Sequence, residues 1–392
     1  MIVKKVCVFC GSRANYSSCK PLMKAIQAHP DLSLQVVLGG AAVLQRYGNI
    51  EDLIRKDGFE IDAKFHMIVE GETPATMSKS TGLGIIEMTM VLNNLTPDVV
   101  LVVGDRFDIM APAVAATMMN IPLAHTMGGE VSGTIDESIR HAVTKLAHIH
   151  FPANEDAKQR IIKLGEPEDM VFNVGCPRMD LVSEILSNHK NGERLCQERF
   201  WQENQGLGSG FDIEKEPFLL VSHHPVTTEY GSNRQQVESV LYALEELQMP
   251  VIMIWPNVDA GSDEVSKGIR TFRENRKPEW LNLFINLPVD VYTKLMDLCA
   301  CMVGNSSSAL REGAFVGVPA VNVGTRQNSR VHGDNVIYCA ADKDEIVTTI
   351  KKQLEHGKYD RSTIYGAGDS GQKIASILSE LESVSVQKLI CY

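Results

Sequence analysis

The segment KKVCVFCGSRANYSS (4–18) reads as a buried β-strand, a tight turn and the start of a helix. Residues 4–10 form a short apolar run, Gly11 permits a sharp turn, and Arg13 and Ser17 fall where the helix begins. A strand that is apolar on both faces belongs in a parallel sheet covered by helices on each side. Alternation along it sends Cys7 and Cys10 to opposite faces. Their CxxC spacing therefore reads as two buried, reduced thiols rather than a zinc or redox pair. Nine cysteines, an odd number spread over 392 residues, make no disulfide framework.

The same alternation continues outward. LQVVL (34–38), DVVLVV (98–103), IPLAH (121–125), HIHFP (148–152) and MVFNV (170–174) read as further strands. The clearest helix is predicted over 73–94, with Thr73 as its cap, Pro74 in its first turn and Pro97 beyond its end. Residues 176–215 are more polar and mostly helical, with a Gly-rich loop, QGLGSG, at 205–210. The pattern then restarts with FLLVS (218–222), PVIMIW (250–255), LFIN (283–286), ACMVG (300–304), VPAVNV (318–323) and NVIY (335–338). These predict a second doubly wound α/β unit. The expected domains are 1–175 and 176–368, followed by a terminal amphipathic helix and tail over 369–392. Two such units facing each other create a cleft at the carboxyl ends of their sheets, where open α/β folds bind ligands.

Composition narrows the function classes. The chain is 44% hydrophobic and 22% charged, which fits a globular protein and not a disordered one. Lys and Arg total 38 against 49 Asp and Glu, a net charge of −11 that argues against nucleic-acid or anionic-membrane binding. No apolar run approaches the roughly 18 residues of a membrane helix. The N-terminal run is also too short for the core of a signal peptide, so a cytoplasmic protein is expected.

Gly366, Gly368 and Gly371 spell GxGxxG, but no strand follows them, so they are no dinucleotide fingerprint. A GxxxxGK[ST] loop is missing as well. The chemistry-bearing residues sit in loops that follow strands. At GSRANYSS (11–18), Arg13 beside a helix N-terminus suits a diphosphate, or is an ordinary solvated turn residue. In VVGDRFD (102–108), Asp105 and Arg106 offer catalysis or substrate contact, or a structural ion pair. In HTMGGEVSGTIDESIRHAVTK (125–145), glycines present Glu130, Asp136 opens a helix, and Arg140 lies one turn further on the same face. Paired carboxylates there suit general acid–base work, although Asp136 also fits as a plain helix cap. In SHHPVTT (222–228), His224 is a candidate phosphate contact or acid, and His223 reads as packing. In MVGNSSSALREGAF (302–315), Gly304 and Asn305 turn the chain, and Ser306 and Ser307 begin a helix with an anion-binding N-terminus. Glu312 is expected one to two turns into that helix, facing ribose hydroxyls. Arg326 in GTRQNSR (324–330) completes a nucleotide-diphosphate set.

In this order, GSRANYS, GDRFD, GGEVSGTIDESIRH, HHPVTT, PNVDAGS, GNSSSALRE and GTRQ resemble the hydrolysing UDP-N-acetylglucosamine 2-epimerases. These include bacterial enzymes of sialic-acid synthesis and the epimerase half of the animal bifunctional enzyme. The resemblance runs over about residues 4–375 and includes no counterpart of the animal kinase half. It implies a glycosyltransferase-B-like fold: two Rossmann-like domains facing across a cleft that holds the UDP-sugar, and a C-terminal helix returning to the N-terminal domain. It implies UDP-sugar contacts for Arg13, Ser17, Arg106, His224, Asn257, Ser306, Ser307, Glu312 and Arg326. It implies catalysis by Asp105, Glu130 and Asp136, with His224 counted among them. The implied reaction eliminates UDP to a 2-acetamidoglucal and rehydrates it, with no redox cofactor and no metal. A homo-oligomer, dimer or tetramer, is expected. Asn15, where many relatives are acidic, and His223 depart from the pattern. The rival substrate is UDP-N,N′-diacetylbacillosamine, used in legionaminic-acid synthesis. More distant rivals are a glycosyltransferase of the same fold, which needs an acceptor site, and a non-catalytic nucleotide-sugar-binding regulator, against which the intact carboxylates argue.

Overall fold

Short apolar strands alternate with helices in the computed structural model, which describes residues 3–44, 50–70, 74–132, 135–190, 195–204, 206–226, 229, 231–256 and 261–391. The chain forms two compact units. The first contains Met1–Val131, Ile135–Leu181 and Tyr365–Tyr392, and the second contains Val182–Ile364. The main boundaries fall at 181/182, within the helix Pro177–Lys190, and at 364/365.

In the first unit, β1 (Lys4–Cys10) leads to α1 (Arg13–Ala28), β2 (Leu32–Leu38), α2 (Ile50–Lys56), β3 (Ala63–Lys64) and α3 (Pro74–Leu95). Then follow β4 (Val99–Val103), α4 (Phe107–Met118), β5 (Leu123–Thr126), α5 (Ile135–Leu146), β6 (Ile149–Phe151) and α6 (Glu155–Lys163). All pairings are parallel, in the order β3-β2-β1-β4-β5-β6. The chain therefore runs outward from β1 in both directions, which puts the switch point at the carboxyl ends of β1 and β4. Cys10 with Val6 and Val8 packs on one face of the sheet, and Cys7 with Phe9 on the other, both thiols free.

Past α7 (Pro177–Lys190) and α8 (Gln197–Glu203), the second unit holds β7 (Gly206–Leu207), β8 (Leu219–Ser222), α9 (Asn233–Leu247), β9 (Val251–Ile254) and α10 (Ser262–Arg276). It continues with β10 (Leu281–Phe284), α11 (Val289–Leu298), β11 (Cys301–Gly304), α12 (Ser307–Leu310), α13 (Glu312–Val316), β12 (Ala320–Val323), β13 (Val336–Cys339) and α14 (Lys343–His356). The order is β13-β12-β11-β8-β9-β10-β7, with only β7 antiparallel. Its switch point lies between β8 and β11.

Two expectations need correction. MVFNV (170–174) is no strand: a 3₁₀ turn at Glu168–Met170 leads into a single bridge between Val171 and His150. QGLGSG (205–210) is not wholly loop, because Gly206 and Leu207 pair with β10, where Phe284 and Asn282 crowd the space a side chain on Gly206 or Gly208 would need. Thr73, the expected cap of α3, lies outside the described residues.

The last helix, α15 (Ser370–Glu380), belongs to the first unit. Its Ile374, Ala375 and Leu378 join the core beneath α1, and Asp180 accepts hydrogen bonds from the backbone N–H groups of Ser370 and Gly371 at 3.0 and 2.7 Å. The GxGxxG glycines serve this return. Gly366 abuts Gly175, and a side chain on Gly371 would meet the Pro21 carbonyl at 2.8 Å. The tail beyond α15 is anchored by Lys388, whose ammonium lies 2.6 Å from Glu166. Lys145 approaches the same buried carboxylate at 2.5 Å, and His150 at 3.0 Å. Burial alone would raise Glu166, but hydrogen bonds from His150, Lys145 and Lys388 outweigh it and hold the carboxyl at about 2. Burial also keeps His150 neutral, so its N–H donates to the carboxylate. The stability from ionised Glu166 is complete above the unfolded carboxyl value near 4.3 and is lost as pH falls toward 2. Glu166→Gln is expected to cost about 1–3 kcal/mol at neutral pH. In urea denaturation that deficit shrinks between about pH 4.5 and pH 3, and a deficit independent of pH would contradict the clamp.

Candidate active site

The first unit gathers its candidate residues at its switch point. Ser12 caps α1 by accepting from Asn15 N–H at 3.2 Å, leaving Arg13 exposed at the helix start and Ser17 buried one turn later. The Asn15 amide donates to the Val103 carbonyl at 2.7 Å, and its oxygen accepts from Gly11 N–H at 3.1 Å. A carboxylate at position 15 has no hydrogen to donate to Val103, which accounts for the amide here. The Asp108 carboxyl reaches between Gly11 and Gly40, where a Cβ on either glycine would come within 2.6–2.8 Å of its oxygen. Burial raises Asp108 above the usual carboxylate range, opposed by Arg106, whose Nε is 3.9 Å away. Arg106 itself is half exposed.

Asp105 follows Gly104, whose φ of +92° turns the chain at the end of β4. Arg140, from the middle of α5, is 1% exposed. Its Nε donates to Asp105 Oδ2 at 2.9 Å, its Nη2 pairs with the same oxygen, and its Nη1 donates to the Glu130 carbonyl at 2.8 Å. Glu130 is itself buried. Asp136, half-buried, lies in the first turn of α5, one turn before Arg140. The expected common face of Asp136 and Arg140 is thus one helix, but the guanidinium turns inward to the loops of Asp105 and Glu130. Sequence reasoning missed this role, because side-chain burial carries no local signal. His125, at the end of β5, meets the Gly104 carbonyl at 2.8 Å, and burial pushes it down to about 4.

In the second unit, His224 and Asn305 interlock at the β8–β11 switch point. Asn305, fully buried, accepts from His224 N–H at 2.7 Å and donates to the His224 carbonyl at 2.8 Å. The Asn305 carbonyl in turn accepts from Arg326 at 3.2 Å and from Gln327 at 2.8 Å. His224 Nε2 lies 3.2 Å from Ser222 Oγ. Burial first, then the Arg326 charge, pushes His224 down to about 3 and His223 to about 4. Both imidazoles are therefore uncharged at neutral pH. Ser306 caps α12, accepting from Ser308 N–H at 3.4 Å, and Ser307 is its first residue. The single long helix expected after Ser306 is corrected: the chain breaks at Arg311 and restarts as α13, so the buried Glu312 opens a second short helix. An anion at Ser306 would meet a capped single turn rather than the dipole of a long helix. Asn257 lies outside the described residues. Among those described, no helix is long and apolar enough to cross a membrane.

The candidate residues thus fall at the switch point of each sheet, where open α/β sheets bind ligands: Asp105 and Glu130 in the first unit, and His224, Ser306 and Arg326 in the second. The sequence profile of UDP-N-acetylglucosamine 2-epimerases matches residues 24–379, and the chain belongs to this family. It is 32% identical over 97% of its length to the hydrolysing UDP-N,N′-diacetylbacillosamine 2-epimerase of Legionella pneumophila, with 97% of that protein covered. It is 29% identical to the UDP-N-acetylglucosamine 2-epimerase of Neisseria meningitidis, covering 98% of each chain. A crystal structure of the Neisseria meningitidis enzyme bound to UDP-GlcNAc matches the fold with a TM-score of 0.80 at 18% identity, covering 96% of this chain and 99% of that one.

Proposed function

We propose that the protein converts UDP-N-acetylglucosamine and water to N-acetylmannosamine and UDP, in the cytoplasm, as a homo-oligomer and without redox cofactor or metal. The observation that carries this reading is the joining of the Asp105 and Glu130 loops by one buried arginine at the switch point of the first sheet. A carboxylate takes the proton from C2 while the C1–O bond to UDP breaks, leaving a C1–C2 double bond. Water then adds its hydroxyl to C1, and a carboxylic acid returns a proton to C2 on the opposite face, releasing the free sugar. Asp105, Glu130 and Asp136 are assigned to these proton transfers. Arg13, Ser17 and Arg106, with His224, Asn257, Ser306, Ser307, Glu312 and Arg326, are assigned to the UDP-sugar. Neutral His224 acts as a hydrogen-bonding partner to the leaving diphosphate and carries no resident charge in the free protein.

A second reading, UDP-N,N′-diacetylbacillosamine as substrate, is favoured by the 32% identity to the Legionella protein. Incubating chelator-treated protein with each UDP-sugar and following free sugar and UDP by NMR separates the two. Products from UDP-N-acetylglucosamine alone support the first reading, and products from the other sugar alone replace it. Activity restored only by a divalent ion would remove the metal-free part.

Arg326→Ala and Ser306→Ala are each expected to weaken UDP binding by about 1.5–3 kcal/mol, the worth of a hydrogen bond to a charged group. Calorimetry with unchanged UDP affinity in both variants would take the diphosphate away from this turn.

A further inference from the structure

We propose that Arg140 is a positioning residue: through its fork it holds the Asp105 carboxylate and the Glu130 main chain in one fixed relation. The inference rests on the functional reading above. A guanidinium 1% exposed is costly to bury, and an apolar side chain of similar volume often serves stability as well or better. Its three donors here meet two different strand-end loops, β4–α4 and β5–α5. The Asp105 side chain stays 27% exposed, so it is held from the inside while open on its other side. Both loops are also steadied independently, the Gly104 carbonyl by His125 at 2.8 Å and the Gly129 carbonyl by Arg160 at 2.6 Å. Arg140 adds a side-chain tie from one loop to the other.

The fork makes a specific demand. Lysine keeps the charge but has no planar arrangement of donors to serve both partners at once. Arg140→Gln is therefore expected to lower kcat by roughly 10²-fold, as a misplaced reacting group does, with UDP affinity little changed. Arg140→Lys is expected to fall between Arg140→Gln and the parent. In an Asp105→Asn background, where the carboxylate is already gone, adding Arg140→Gln should lower kcat by less than about tenfold more. Thermal melts and circular dichroism accompany each variant. If Arg140→Gln does not fold, Arg140→Lys alone and with Asp105→Asn carries the same cycle. Turnover and UDP affinity lost in parallel, or effects of Arg140 and Asp105 that simply multiply, would overturn the positioning role. Wild-type turnover in Asp105→Asn would instead remove Asp105 from the proposed reaction, and the basis of this inference with it.

Discussion

Glu130→Gln and Asp136→Asn are each expected to slow epimerisation severely while UDP binding persists. Removing a proton-transfer group costs roughly 10²–10⁴ in rate. Both residues lie in the first unit, at the loop and helix start that follow β5, whereas Ser306 and Arg326 lie in the second. The amides keep the shape of the acids. The Glu130 carbonyl held by Arg140 is main chain, so that contact survives the side-chain change. If Asp136, the second residue of α5 and so not its cap, only steadied the helix's first turn, Asn would cost about 0.3–1 kcal/mol of stability and turnover would stay near normal. Steady-state assays with calorimetric UDP titrations decide each residue. A variant keeping more than about a tenth of parent turnover leaves the catalytic set.

Gly304→Ala is expected to disable the second unit's loops altogether. Gly304 has φ +133°, a region that L side chains rarely adopt, and it closes β11 opposite Ser222 of β8. A Cβ there would lie 2.1 Å from the Ser222 carbonyl, the same oxygen that accepts from Asn305 N–H at 3.1 Å. Backbone strain of about 1–3 kcal/mol and a similar overpacking cost, together about 2–6 kcal/mol, fall on the turn that carries Asn305 and Ser306. Since Asn305 also holds His224 and Arg326, UDP affinity should fall with stability. A Gly304→Ala protein with parent melting temperature and parent UDP affinity would show that this crossing of strands tolerates a side chain.

Several features were legible from residues alone. β1 occupies Lys4–Cys10 as its apolar run predicts, because a central parallel strand is buried on both faces and writes its length in hydrophobicity. The helix predicted over 73–94 appears as Pro74–Leu95, with proline at its first described residue and Pro97 beyond its end. Two-residue strands were not legible: Ala63–Lys64 and Gly206–Leu207 are strands only because β2 and β10 offer them an edge. The reverse error occurred at MVFNV, apolar enough for a strand but pairing at one residue only. The break at Arg311, which splits the helix after Ser306, has no proline to announce it, and the nearby Gly313 sits inside the second helix rather than at the break.

The sequence by itself determined the alternation of strands and helices, its restart in a second unit, and the placing of acids, arginines and serines just after strands. Those follow from local rules: hydrophobic period, turn chemistry and capping act over a few residues. Only the tertiary structure decided that Arg140 turns inward to Asp105 and Glu130, that Asn305 ties His224 to Arg326, and that His224 is neutral. Each of these depends on burial and on partners far apart in the chain, 35 residues for Arg140 and Asp105 and 81 for Asn305 and His224. The electrostatics of a buried group are set by what surrounds it in space, and no stretch of neighbouring residues encodes that.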